Sequence, residues 1–268
     1  MKFIDTHVHP GFTSPLFKDA ARENKMDWSA KGLLREMDES KVKSAVAIGW
    51  NYSTNEEMAR LAERNERFVP VFGVRTDEIK KYTEVAAKEF KKGRFRGFKI
   101  FLGYEPVYPY DRIFEPVYRL AERYGVPVIY HTGDTWNSMN GSARIRFAHP
   151  LNIDDVAVAH PDMKIVIAHS GNPWFDDTAE IIYKNDNCYA DISGWFLKMV
   201  EKVQGDMLAE RLRYLVHYSS SKKLMFGSDW PLISIEKYVK FLMRCDIDES
   251  HIENIAHRTA EGVWGIKP

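Results

Sequence analysis

The chain has 268 residues, and its 38 lysines and arginines are matched by 38 aspartates and glutamates, so there is no basic field to draw nucleic acid or anionic lipid. That length is close to the roughly 250 residues of a single (β/α)8 barrel and suits one domain over residues 1–268. Asp5 interrupts any signal-peptide apolar region, no apolar run is long enough to span a membrane, and Cys188 and Cys245 lack Cys-x-x-Cys spacing. Together these features indicate a soluble cytoplasmic protein without disulfides.

Phe3, Ile4 and Thr6 predict a first strand that runs into His7-Val8-His9 and stops at Pro10-Gly11. Side chains at i and i+2 of a strand share a face, so His7 and His9 point the same way and form half of a site for a borderline-soft divalent cation. Taken alone, so short a motif reads more simply as one packed and one solvated imidazole. After a loop carrying Phe12, Phe17 and Trp28, helical spacing of Leu33, Leu34 and Met37 predicts a helix over 29–40, and residues 45–48 read as a buried strand. Capping residues at 51–54 introduce a helix ending near Asn65. A strand over 69–74, a helix over 78–90, a strand over 97–101, a helix over 114–124 and a strand over 126–131 continue the series.

The second half repeats the plan, with helices over 153–159, 178–184 and 207–218 alternating with strands over 163–168, 188–192 and 224–227. Helices near 235–244 and 252–264 close the chain. Eight strands in a β/α alternation, with no linker or repeat to divide them, are explained better by one closed parallel α/β barrel than by two open sheets.

In such a barrel, functional groups sit at the carboxyl ends of the strands. His131 closes strand five, His169 closes strand six and Asp229 follows strand eight, each ahead of a Gly or Pro break. Any one of them alone is as well explained by a satisfied buried group, but four histidines and an aspartate converging on one rim are not. Histidines and a carboxylate around an open position make up the donor set of catalytic zinc, since structural sites usually close with cysteines.

At these positions the chain resembles the amidohydrolase superfamily, in particular the amidohydrolase-related branch that includes aminocarboxymuconate-semialdehyde decarboxylase. The resemblance covers nearly the whole chain. It rests on Asp5-Thr6-His7-Val8-His9, Gly97-Phe98-Lys99-Ile100 and Pro127-Val128-Ile129-Tyr130-His131-Thr132-Gly133, and on the run from Pro150-Leu151 through Pro161 to Ala168-His169-Ser170-Gly171. Asp191-Ile192-Ser193-Gly194, Gly227-Ser228-Asp229-Trp230-Pro231 and the closing helix over 252–264 complete it. It implies a TIM barrel in which His7, His9, His131 and Asp229 hold one divalent ion, Zn2+ foremost and Mn2+ or Co2+ as alternatives. It further implies that His169 orients and activates the water and that Asp229 doubles as a proton shuttle.

Strand alternation aims Lys99 into the barrel near the metal side of strand four. In two-metal superfamily members such a lysine can be carboxylated and bridge the ions; in this branch, contact with a substrate carboxylate or a structural ion pair is the expected role. Trp50, Trp136, Trp174, Trp195 and Trp230 follow strands two, five, six, seven and eight, which suits an aromatic-walled pocket as well as ordinary loop packing. Arg144 and Arg146 have the chemistry for a bidentate grip on a carboxylate and read more simply as solvated loop charges. Lys99, Trp136, Arg144 and Trp230 are the candidate substrate-binding residues. His149, His160, His217, His251 and His257 lie away from strand ends and are taken as non-catalytic.

The function expected from these readings is metal-dependent hydrolysis of an amide, ester or lactone in a small substrate, carboxylated or cyclic. The alternative is a lyase, a decarboxylase or hydratase acting on an unsaturated acid; more distant is a non-catalytic metal-binding or scaffold protein, in which a missing ligand would be common. The expected partner is a small molecule rather than nucleic acid or a membrane, and both monomer and homo-oligomer fit the sequence.

Overall fold

The computed structural model describes residues 1–11, 15–136, 143–196 and 202–266. Its strands are β1 (Phe3–Val8), β2 (Val42–Ile48), β3 (Phe68–Val74), β4 (Phe98–Ile100), β5 (Val128–Tyr130), β6 (Ile165–Ile167), β7 (Cys188–Asp191) and β8 (Leu224–Met225). They pair in parallel in sequence order as one eight-stranded sheet. β8 is short, and the seam with β1 is carried by the residues after it. The Thr6 amide donates to the Phe226 carbonyl at 2.9 Å and the His9 amide to the Trp230 carbonyl at 2.8 Å, so the sheet is nearly closed into a (β/α)8 TIM barrel.

Period-two alternation separates two cores. Phe98 and Ile100 of β4, Val128 and Tyr130 of β5, and Ile165 and Ile167 of β6 pack outward against the helices. Ile4, Val46, Val69, Ile129 and Val166, from the same sheet, fill the interior, with Trp264 in the same cluster. Further along the strands the inward positions become polar: Lys99 follows the inner apolar layer on β4, and His131 follows Ile129.

The helices are α1 (Pro15–Glu23), α2 (Ala30–Glu39), α3 (Tyr52–Arg64), α4 (Ile79–Lys91), α5 (Glu115–Tyr124), α6 (Ile153–Ala159), α7 (Phe175–Lys184), α8 (Lys202–Tyr218), α9 (Ile235–Met243), α10 (Glu249–Glu253) and α11 (Thr259–Trp264). The expected capping at the start of α3 is a full capping box: Asn51 accepts from the Thr54 amide while the Thr54 hydroxyl accepts from the Asn51 amide.

The structure corrects two elements. Residues 15–23, expected as loop, form α1, which buries Phe17 and Ala21. Leu16, Phe17, Ala20 and Ala21 recur at helical spacing, so the segment carries an amphipathic period of its own that the expectation of a loop did not use. Phe12 lies outside the described residues. The expected single helix over 252–264 is broken by a wider turn, Asn254–Arg258, between α10 and α11. Among the described residues no helix is long and apolar enough to cross a membrane, and both cysteines are buried and unbridged.

Candidate metal centre

β1 delivers His7 and His9 to the carboxyl end of the barrel, fully and nearly fully buried. Their rings lie 5.0 Å apart, and the turn after β8 brings Asp229 against both. Asp229 Oδ1 is 3.3 Å from His9 Nε2 and 3.8 Å from His7 Nε2. His7, His9 and Asp229 thus offer three donor atoms within 4.8 Å of one another. Ligand bonds of about 2.0–2.1 Å at tetrahedral angles place donor atoms about 3.3 Å apart, so this spacing suits one small divalent ion.

His131 is not in that tight trio. It lines the same pocket, with its Nδ1 3.2 Å from His169 Nε2. Tautomers follow from the partners. His131 Nε2 faces the Asp134 carbonyl at 3.1 Å, which only accepts, so that nitrogen carries the proton. Ser193 Oγ donates to Asp191 and therefore accepts from His169 Nδ1 at 2.9 Å. Both remaining lone pairs, on His131 Nδ1 and His169 Nε2, then face each other at 3.2 Å, an arrangement that a cation on one nitrogen and a water on the other relieves. His7 obeys the same logic. Its Nδ1 donates to Asp191 Oδ2 at 2.9 Å, leaving the Nε2 lone pair turned toward Asp229. On this donor chemistry the residues present fit a divalent ion.

Asp191, to which sequence reasoning assigns no role beyond its motif, is the acceptor that the structure places behind the histidines. It lies fully buried at the end of β7 and accepts from His7, from the His169 amide at 2.9 Å and from the Ser193 amide at 3.0 Å. Asp5 does similar work beneath the site, accepting from the Ser228 amide at 3.0 Å and hydroxyl at 2.6 Å and tying β1 to the turn that carries Asp229.

The backbone is bent to fit. His169, Ser170 and Asp229 all sit in the left-handed region, at φ 61°, 45° and 64°. Gly194 passes so close that a Cβ there would fall 2.6 Å from His169 Nδ1 and 3.0 Å from Asp229 Oδ2, in a backbone conformation with φ +64°. Trp195, the next residue, donates its indole N–H to the His169 carbonyl at 2.9 Å and so locks that turn.

The pocket above these groups has about 620 Å³ of empty space, its open mouth included, and is lined by Trp50, Phe101, Tyr104 and Trp136 together with Lys99, His131 and Asp229. Lys99 and Trp136 of the expected substrate contacts are therefore in it. Arg144 and Trp230 are not among the lining residues. Arg144 is exposed, its side chain donating to the Ala143 carbonyl at 3.0 Å, because its loop turns it to solvent. Trp230 is fully buried and donates its indole N–H to Glu36 on α2 at 3.2 Å, so it anchors the β8 turn from outside the barrel. His160 pairs with Glu115 and Glu122, and His257 with Glu261, all away from the pocket.

Burial dominates the electrostatics. It lowers the pKa of His7, helped by Lys99, to about 3, and it lowers those of His131 and His169. It would raise Asp229, but hydrogen bonding to His9 and the surrounding imidazoles outweigh it and hold that carboxyl well below the usual range. The same contest, settled by His7, keeps Asp191 low. Burial also lowers Lys99 to about 8 against the pull of Asp191 and Asp229, and raises Asp5 to about 7 against the hydrogen bonds of Ser228 and His7.

A stability prediction follows for metal-free protein. Unfolding frees His7, His131 and His169 to bind protons below their ordinary value near 6.5, so the unfolded chain takes up more protons and stability falls as pH drops from about 7 toward 4. Asp5 opposes this, holding one extra proton in the folded state between about 4 and 7. Three groups outweigh one, and below about 4 protonation of Asp191 and Asp229 adds to the loss. Urea midpoints measured from pH 7.5 to 4.5 are expected to decline; midpoints that rise on acidification contradict the assignment of neutral buried imidazoles.

Among solved structures, an uncharacterised TIM-barrel protein from Bordetella bronchiseptica is 21% identical, with 99% of each chain covered and a TM-score of 0.78. An amidohydrolase from Burkholderia multivorans with bound zinc is 14% identical, with 100% of each chain covered and a TM-score of 0.76. The 5-carboxyvanillate decarboxylase of Sphingomonas paucimobilis is 15% identical, with 99% of each chain covered and a TM-score of 0.69. At these identities the likeness is one of fold. No curated protein matches the sequence. The sequence profile of the amidohydrolase family matches residues 4–266, nearly the whole chain, and the protein belongs to that family of enzymes.

Proposed function

We propose that this enzyme is a metal-dependent hydrolase that uses activated water to cleave an amide, ester or lactone in a small flat substrate. The observation that carries this reading is the convergence of His7, His9 and Asp229 donor atoms within 4.8 Å beside the facing pair His131 and His169. His7, His9, His131 and Asp229 would hold one ion, Zn2+ foremost, the metal bound in the Burkholderia multivorans amidohydrolase, with Mn2+ or Co2+ as alternatives. A divalent ion there supplies Lewis acidity, polarising a substrate oxygen and lowering the pKa of water from about 15.7 toward 7. His169, kept neutral by burial, accepts the proton of the attacking water through Nε2 while Ser193 and Asp191 fix its ring. The proton taken from the water then goes to the leaving group, relayed through Asp229, whose carboxylate is ionised until it receives that proton, and Lys99 and Trp136 contact the substrate.

The pocket walls favour a second reading. Trp50 and Phe101 lie 4.1 Å apart at their centroids, and with Tyr104 and Trp136 they line a cavity suited to a conjugated ring. Together with the decarboxylase among the solved relatives, this supports a lyase acting on an unsaturated or aromatic acid. In that case the bond to the carboxyl carbon breaks, carbon dioxide leaves, and a proton from solvent, relayed through His169 Nε2 or Asp229, goes to the ring carbon that keeps the electron pair.

Two measurements test the reading. Protein prepared without chelator is expected to carry about one divalent ion per chain. A chain that takes up no zinc, manganese or cobalt on titration sinks the proposal, and two tightly held ions assign a bridging role to Lys99. Turnover of lactone, ester, amide and unsaturated-acid panels in labelled water then decides the reaction. Hydrolysis places one solvent oxygen in the product, whereas decarboxylation releases carbon dioxide and places a solvent hydrogen on carbon.

A further inference from the structure

The pocket has opposite charges at its two ends. Lys99, 1% exposed, lies on the floor with its Nζ 3.4 Å from His7 Nε2, and it is the only lysine or arginine among the described lining residues. Asp134 lines the same cavity and is exposed at its mouth. It is not a loose surface carboxylate. Its amide donates to the Asn172 carbonyl at 2.8 Å, its carbonyl accepts from His131 Nε2 at 3.1 Å, and its Oδ2 accepts from the Trp136 indole N–H at 3.2 Å. Trp136 is held in turn, its amide donating to the Tyr104 hydroxyl at 3.2 Å. The aromatic walls Trp50, Phe101 and Tyr104 therefore share the pocket with the cation of Lys99 and the ligand carboxylate Asp229 at its floor and with one further carboxylate, Asp134, at the rim.

Resting on the reading of this pocket as the active site, we propose that Asp134 sets the substrate's charge. The pocket takes a flat acid whose single carboxylate lies at Lys99 and whose far end bears a hydroxyl or amine that donates to Asp134. A flat dicarboxylate fits the same walls but sets its second carboxylate against Asp134, and that like-charge juxtaposition, though screened in part at the mouth, disfavours it. A neutral far end avoids the repulsion without gaining the hydrogen bond.

Isothermal titration calorimetry on zinc-loaded and metal-free protein, with 4-hydroxybenzoate, 4-aminobenzoate and terephthalate as probes, tests the assignment without requiring turnover. The wild type is expected to bind the two monoacids at least about tenfold more tightly than terephthalate. Asp134→Asn is expected to bring that ratio within about threefold, and Asp134→Glu to keep the preference for the monoacids, because the charge is retained. Lys99→Gln is expected to weaken all three acids by about tenfold or more. An unchanged ratio in Asp134→Asn overturns the proposal. So does a wild type that binds terephthalate as tightly as the monoacids or binds none of the three. Because ion content is measured separately, a chain that takes up its ion but shows no charge preference overturns only the role of Asp134. A chain with the preference but no ion uptake overturns only the metal-dependent reading.

Discussion

Replacing His169 with asparagine is expected to leave ion uptake intact and to lower turnover by about 10²- to 10⁴-fold, the usual contribution of a positioned acid or base. His169 has the geometry for that role. Its amide donates to Asp191 at 2.9 Å, its carbonyl accepts from Trp195, its Nδ1 is held by Ser193 at 2.9 Å, and its Nε2 lone pair is left facing His131 Nδ1 at the wall of the pocket that both line. An asparagine side chain can replace the contact to Ser193 but has no basic nitrogen near neutral pH. His131→Ala is expected to behave in the opposite way, losing the ion, because an imidazole lone pair given directly to a metal has no substitute nearby. The two nitrogens lie only 3.2 Å apart, so distance alone does not separate ligand from base. Metal content and rate measured on the same preparations do. If His169→Asn strips the ion as thoroughly as His131→Ala, His169 is itself a ligand and the base must be sought elsewhere.

The second large effect is expected at Asp191. Asp191→Ala removes the acceptor of three buried N–H groups, on His7, His169 and Ser193, and of the Ser193 hydroxyl. Stranding one side of a buried charged network typically costs about 3–5 kcal/mol, which urea unfolding of metal-free protein will read. Asp191→Asn keeps the shape and one acceptor oxygen, so its cost in stability is smaller. Its effect on the ion is not, because the amide no longer holds His7 as the Nδ1–H tautomer with the same strength. A loss of about 10- to 100-fold in ion affinity is expected, as for other carboxylates behind a metal-bound histidine. Chelator competition measures it, and an Asp191→Asn protein with wild-type affinity would show that His7 is oriented by packing alone.

Much of this protein is legible in its sequence because strand alternation and the β/α rhythm are local. Period two places Ile129 and His131 on the same inward face, and the rule that barrel chemistry sits at the carboxyl ends of strands then picks out His7, His9, Lys99, His131, His169 and Asp229 without coordinates. Five of the six line the pocket, and the sixth, His7, lies beneath it against Asp229. The helix at Pro15–Glu23 was legible too, since Leu16, Phe17, Ala20 and Ala21 recur at helical spacing, although the stretch was expected as loop.

What side chains meet across the barrel was decided only by tertiary structure. His7 and Asp191 are 184 positions apart, and Asp5 and Ser228 are 223 apart; their pairing depends on strand register and on closure of the β1–β8 seam, neither of which leaves a local trace. Direction of approach was decided in the same way. Trp230 and Trp136 follow strand ends in similar fashion, yet Trp230 turns outward to Glu36 on α2 while Trp136 turns inward to Asp134 and the pocket. The sequence determined which residues reach the rim, because that depends on period and strand count. Only the closed barrel determined which way each one faces and what it touches, because these contacts join segments that share no local pattern.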